Sequence, residues 1–294
     1  MGLLCLYVTM IDVLCSAIGL IPIDCLQHQF MQQALLGLLL LVPMTAVLGV
    51  EVVHFRMAFF SDAIGHSAFA GVALGLILSL DPRFTMLAFG LLVGLGIIAL
   101  QRRSNISSDL AIGVVFSAVV AFGLLVVSRT PGTARNMQQF LFGDILTIGP
   151  DELRFLLCLL PMVFLVQLFG FNALLSVALN PVMARAHGIH VAFWQYLFSA
   201  LLAAVVIFSV WAVGVLLVTA LLIVPAACAR NISRSLRGMF WWSIALSMFS
   251  AFLGLVLSAQ PWLSSATGAT IIVINCLFFV LSTLSGRCLK GRRA

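Results

Sequence analysis

Long apolar runs, each about the length of a membrane crossing, alternate with short polar connections along nearly the whole chain. They fall near residues 31–53, 63–80, 85–101, 110–128, 152–172, 193–211, 213–229, 239–258 and 267–286. Hydrocarbon about 30 Å thick is crossed by about 20 apolar residues in a helix, and the helix satisfies every backbone polar group within its own segment. The pattern therefore predicts an all-α fold, a polytopic transmembrane helical bundle of about eight or nine spans. A further run at 3–22 carries Asp12 and lacks both a basic start and a small-x-small cleavage site. It reads as a retained weak span or an interfacial segment, not as a signal peptide. With 294 residues so occupied, one membrane domain over 1–294 is expected, with no soluble domain of ordinary size.

Composition agrees: 63% of residues are hydrophobic, 8% are charged and mean hydropathy is +1.22. The net charge of +6 does not point to nucleic acid, because the basic residues sit at the ends of apolar runs and are not interleaved with exposed aromatics. They fit a positive-inside bias. If Arg287, Lys290, Arg292 and Arg293 are cytoplasmic, the threading places Arg230, Arg234, Arg237, Arg185, Arg102, Arg103 and Arg56 on the same side. Arg83, Arg129, Arg135 and Arg154 are left outside, a bias of eleven to four. The seven cysteines show no C-x-x-C or other metal-ligand spacing and read as buried small hydrophobes.

Two connections are neither tight turns nor spans. The outer one, 129–151, holds Pro131-Gly132 and Gly143-Asp144 around Phe140-Leu141-Phe142 and reads as an interfacial or re-entrant element. The cytoplasmic one, 177–191, contains a short helix: Asn180 is suited to cap it, Pro181 to occupy its first position and Gly188 to end it. Small Ala184 and Ala186 beside Arg185 and His187 suggest a docking element for a soluble partner, the alternative being an ordinary structured loop.

The candidate chemistry is Asp62 and His66, four residues apart in an otherwise apolar stretch. On a helix such residues share a face, so that carboxylate and imidazole can converge on one cation. Ionisable groups at membrane depth are costly and usually line a pathway. The bland alternative is a hydrogen bond between the two that locks packing. Glu51 precedes Asp62 by eleven residues, but Arg56 marks a membrane surface between them, so an interfacial or Arg56-paired role is preferred for it. His54 reads as solvated and His28 as part of an outer polar patch. Pro225 lies deep in a span as a gate hinge or a static kink, and Gly90, Gly94 and Gly96 are spaced for close helix approach.

The segment Ser61-Asp62-Ala63-Ile64-Gly65-His66-Ser67-Ala68-Phe69-Ala70-Gly71-Val72-Ala73 resembles the G-D-A-L-S-H-A-x-x-P-G-V-A signature of the integral-membrane permeases of bacterial ABC importers for zinc, manganese and iron. Further segments follow in the family's order: Asp109-Leu110-Ala111-Ile112-Gly113, Phe142-Gly143-Asp144-Ile145-Leu146, Asn180 through Ile189, and Val213 through Arg230. The departures are Ser61 for Gly, Gly65 for Ser, Ala70 for Pro and Asn180 for an acid. The loop Ser258-Ala259-Gln260-Pro261 lacks an acid often found there, which puts a metal ligand in the second half of the chain in doubt. Asp62, His66 and Gly71 persist.

The resemblance implies a bacterial inner-membrane pore made by two permease subunits, identical or related. It would be driven by two cytoplasmic ATP-binding subunits and fed by an extracytoplasmic metal-binding protein. It implies that Asp62 and His66 meet the transported zinc, manganese or iron, with no permanently bound cofactor, and that Asn180, Ala184, Arg185, His187 and Gly188 belong to a cytoplasmic coupling helix. Gly71 and Pro225 would serve gating or packing. No G-x-x-x-x-G-K-[ST] loop is present, so hydrolysis is expected in a partner and this chain is not expected to be an enzyme. The alternative is an ion-coupled secondary transporter of a divalent cation, which would require further intramembrane acids. An intramembrane enzyme would need a nucleophile with its base or an H-E-x-x-H helix, and the sequence offers neither.

Overall fold

The computed structural model describes residues 13–19, 24–104, 106–128, 143–262 and 265–291. Most of the 3–22 run, Arg129, Arg135, the Phe140-Leu141-Phe142 triplet and Arg292 and Arg293 lie outside the described residues. Among those described, regular structure is entirely helical: α1 (Gln29–Phe55), α2 (Phe60–Ile77), α3 (Pro82–Arg103), α4 (Ser108–Ser128), α5 (Pro150–Leu179), α6 (Pro181–Ala186), α7 (Val191–Val213), α8 (Val215–Ile232), α9 (Leu236–Ser258) and α10 (Thr267–Gly291). Single 3-10 turns occupy Asp24–Gln27 and Ile145–Thr147. All but α6 are long and apolar enough to cross a membrane, nine among the described residues.

Local chemistry sets the helix ends. Asp81 caps α3 by accepting from the Arg83 amide at 2.9 Å, with Pro82 at the first helical position. Ser235 caps α9 through the Gly238 amide at 3.1 Å. Arg56 ends α1 with a φ of 55°, a left-handed conformation costly for a side-chain-bearing residue. That reversal breaks the helix between Glu51 and Asp62. The second span begins three residues earlier than its hydropathy suggested, at Phe60, because hydropathy passes over the polar Ser61 and Asp62 whereas backbone bonding does not.

The described chain divides into two compact units. One comprises Met1–Val50, Gly143–Met162 and Ala212–Ala294, the other Glu51–Phe142 and Val163–Trp211. Three of the four boundaries fall inside α1, α5 and α7, and neither unit is a continuous stretch of sequence.

In the first unit α8, α9 and α10 pack on one another. Lipid is as apolar as leucine, so helix association there relies on close packing and on polar bonds. The seams show both. Gly254 receives Ile271 where a Cβ would collide with the Ile271 backbone. Ser250 Oγ donates to Asn275 Oδ1 at 3.0 Å, the Ser258 and Thr267 hydroxyls meet at 2.9 Å, and Asn231 Nδ2 donates to Ser282 Oγ at 3.1 Å. Ser243 Oγ donates to the Ala46 carbonyl of α1 at 3.1 Å. Pro225 is buried in α8, and Gly49 of α1 is seated against the same stretch, on the Leu222 carbonyl and the Ala226 Cβ.

In the second unit α2, α3 and α4 pack together. At Gly71 a Cβ would lie 2.7 Å from Met86 Cα and 3.0 Å from the Thr85 carbonyl, so α2 and α3 touch backbone to backbone. Gly90 accepts the Ile207 side chain of α7, and Ser199 Oγ donates to the Gly94 carbonyl at 2.9 Å. Gly96 differs from expectation: nothing lies within 4 Å of where its Cβ would be. Two residues after Gly94 on a helix, it points away from the contact face.

The cysteine expectation holds in part. Cys15 and Cys228 are buried, whereas Cys158 and Cys276 are exposed on faces of α5 and α10 that this chain leaves uncovered. An apolar run locates a residue within a span but does not say which way it faces.

Candidate metal site and coupling segment

Starting α2 at Phe60 puts Asp62 in the first helical turn and His66 one turn further on. A carboxylate in a first turn is favoured by the amides there that lack helical partners. Both side chains are half-buried in the second unit. The His66 ring meets Phe116 of α4 edge to face, with centroids 5.2 Å apart and planes at 78°. The pair therefore lies on one helix face, as its spacing requires, beside an aromatic wall. Among the described residues no group of three or more His, Cys, Asp and Glu is placed to hold a metal ion. Asp62 and His66 are two donors, an oxygen and a nitrogen, of a kind that zinc, manganese and ferrous iron accept.

Glu51 pairs with Gln167 rather than with Arg56. It is 3% exposed inside α1, and its Oε2 accepts from Gln167 Nε2 of α5 at 2.8 Å. Glu51 Oε1 and Gln167 Oε1 are buried without a partner. Sequence reading missed Gln167, although a glutamine in mid-span is a visible signal once a buried acid needs a donor. Ser61 is fully buried with its hydroxyl unpartnered, directly before Asp62. His28 is exposed and stacks on Phe30 at 5.6 Å.

The segment 177–191 forms as its residues dictate. Asn180 Oδ1 accepts from the Val182 and Met183 amides, both at 3.1 Å. At the other end Gly188 has a φ of 78°, its amide reaches the Arg185 carbonyl at 3.0 Å and the Ile189 amide reaches the Ala184 carbonyl at 3.0 Å. That is a Schellman motif, which requires a residue tolerant of the left-handed region. His187 Nδ1 lies 2.8 Å from the Met183 carbonyl. Arg185, Ala186 and His187 are exposed, but Ala184 faces inward, 2% exposed against Val177 and Val191. The outward apolar residues of α6 are Val182 and Met183, 66% and 61% exposed, which the sequence reading passed over.

A multi-pass helical membrane protein with an ionisable pair on one span and a capped helix at its surface has the anatomy of a transport subunit. The family model described as ABC 3 transport family matches residues 27–286, and the chain belongs to that family. It is 32% identical over 249 residues to the high-affinity zinc uptake system membrane protein ZnuB of Haemophilus influenzae, covering 85% of this chain and 95% of that protein. It is 31% identical over 256 residues to the manganese import system permease protein ScaB of Streptococcus parasanguinis, covering 87% and 90%. Among solved structures, a chain of PsaBC from Streptococcus pneumoniae in complex with Fab aligns with a TM-score of 0.76 and 30% identity, over 88% of this chain and 93% of that one.

Proposed function

We propose that the chain is the pore-forming permease subunit of an ATP-driven importer of a divalent transition metal (zinc, manganese or iron). In this reading separate cytoplasmic ATP-binding subunits energise it, an extracytoplasmic metal-binding protein feeds it, and a second permease completes the pore in the inner membrane. The observation that carries the proposal is the placement of Asp62 and His66 one turn apart on one face of α2, in a chain whose relatives include zinc and manganese import permeases. Two donors do not complete a first-row metal site. A two-fold partner would supply two more, and motion about that axis would part the halves and release the ion. The segment from Asn180 to Ile189 would carry ATPase motion to the spans, and Gly71 would serve packing between α2 and α3. Pro225 would shape α8 where Gly49 seats.

The test is reconstitution with candidate ATP-binding subunits and measurement of radioactive zinc, manganese and iron uptake. Wild-type uptake requires ATP hydrolysis, and Asp62→Asn and His66→Ala each abolish it while the complex still assembles. Uptake that persists with a hydrolysis-dead ATPase overturns the reading. It would favour the ion-coupled alternative, for which Glu51 supplies a second intramembrane acid.

A further inference from the structure

An open cleft of about 950 Å³ lies in the second unit where α6 meets the end of α3 and the start of α7. Its walls carry Arg102, Arg185, His190 and Gln195 beside the apolar Val191 and Phe193, and among the described residues no Asp or Glu lines it. The two guanidiniums are held in place. Arg102 Nη1 donates to Gln195 Oε1 at 3.0 Å and the group lies over the Tyr196 ring, 6.0 Å from its centroid. Arg185 Nε donates to the Pro181 carbonyl at 3.3 Å. Neither has a carboxylate partner among the described residues.

Each anchoring bond uses one of the five N–H donors of its guanidinium and leaves the others for a ligand. Arg102 is the penultimate residue of one span, and Phe193 and Gln195 stand in the first turns of another, so the cleft lies at headgroup depth. The arginine bias assigns this side to the cytoplasm, where anionic lipids concentrate and basic pockets between spans take their headgroups. Phe193 is 59% exposed and gives the cleft an apolar side beside the charges, as a molecule with a phosphate at one end and acyl chains at the other requires. An acidic segment of a soluble protein would use the arginines but has no need of that wall.

We propose that this cleft is a binding site for an anionic phospholipid of the cytoplasmic leaflet, its phosphate held between Arg102 and Arg185 and its chains leaving along Val191 and Phe193. The proposal requires that the chain spans the membrane with this side cytoplasmic and that the lipid shares Arg185 with the Asn180 to Ile189 segment; it is independent of what the chain transports.

The experiment is native mass spectrometry of the full-length chain after detergent exchange into phosphatidylglycerol or phosphatidylcholine. Wild type retains phosphatidylglycerol in preference to phosphatidylcholine. Arg102→Gln retains about fivefold less phosphatidylglycerol, the factor that one arginine near an anionic surface supplies. Arg102→Lys, checked for folding by its thermal midpoint, keeps the charge but loses the fork and falls between the two. The wild-type comparison of the two lipids requires no variant. Equal retention of the lipids, or displacement of phosphatidylglycerol by inorganic phosphate alone, overturns the proposal. So does an Arg102→Gln chain that keeps its phosphatidylglycerol but no longer co-purifies with an ATP-binding subunit, which would reassign the cleft to a protein partner.

Discussion

Gln167 and Glu51 are joined inside the second unit by a hydrogen bond of 2.8 Å, amide donating to carboxylate, with both side chains more than nine-tenths buried. Gln167 is the only hydrogen-bond donor to this carboxylate among the described residues. Removing one member strands the other, and an abandoned buried polar group costs about 1–3 kcal/mol. Gln167→Leu is therefore expected to lower unfolding stability in detergent by that amount. Glu51→Leu combined with Gln167→Leu recovers most of the loss, because no polar group is then left alone. A double variant no better than the single one would show that the pair does not act as a unit.

Gly71 stands where two helix backbones touch. A methyl there must displace Met86 Cα, which cannot swing aside as a side-chain tip can. Gly71→Ala is expected to destabilise by about 1–3 kcal/mol, as overpacking generally does, and Gly96→Ala, with open space around it, to change stability little. Thermal unfolding of the two variants side by side checks the contrast.

The Phe116 ring fixes one side of the His66 imidazole. Such edge-to-face pairs contribute about 0.5–1.5 kcal/mol, so if His66 meets the metal as proposed, Phe116→Ala should weaken metal uptake roughly threefold to tenfold by loosening the ring. Assembly with partner subunits should be unchanged. Phe116→Tyr, which keeps the ring, should retain most of the uptake, and a kinetic comparison of the two separates ring positioning from general damage.

Asn180 holds two first-turn amides of α6. Asn180→Ala loses about 1 kcal/mol of helix stability, expected as faster hydrogen exchange at Val182 and Met183. Asn180→Asp keeps the acceptor and should leave exchange slow. If α6 docks on a soluble partner, Met183→Asp on its exposed face should block co-purification of that partner without altering the exchange rates.

The spans were legible in the sequence because nine apolar runs and their arginine borders obey a simple rule of solvent and length. The cap, first proline and terminal glycine of α6 were equally plain, since each is a local demand of the backbone. Asp62 and His66 could be paired from spacing alone, both being on one helix. What spacing could not convey is which face of a helix meets which neighbour. Ala184 was read as outward and lies inward, Gly96 was grouped with packing glycines and faces open space, and Glu51 was given an interfacial or Arg56-paired role while its hydrogen-bond partner waited 116 residues along the chain. Contacts between elements distant in sequence leave no periodic trace.

The hydroxyl and amide bonds between α9 and α10 fix how these helices align. Two greasy cylinders can slide past each other with little penalty, since every leucine finds another hydrocarbon neighbour. Displacing α10 by one turn would part Ser250 from Asn275 and Ser258 from Thr267 at the same moment. The hairpin thus behaves as a notched rule with one setting, able to pass a push along its axis without slipping.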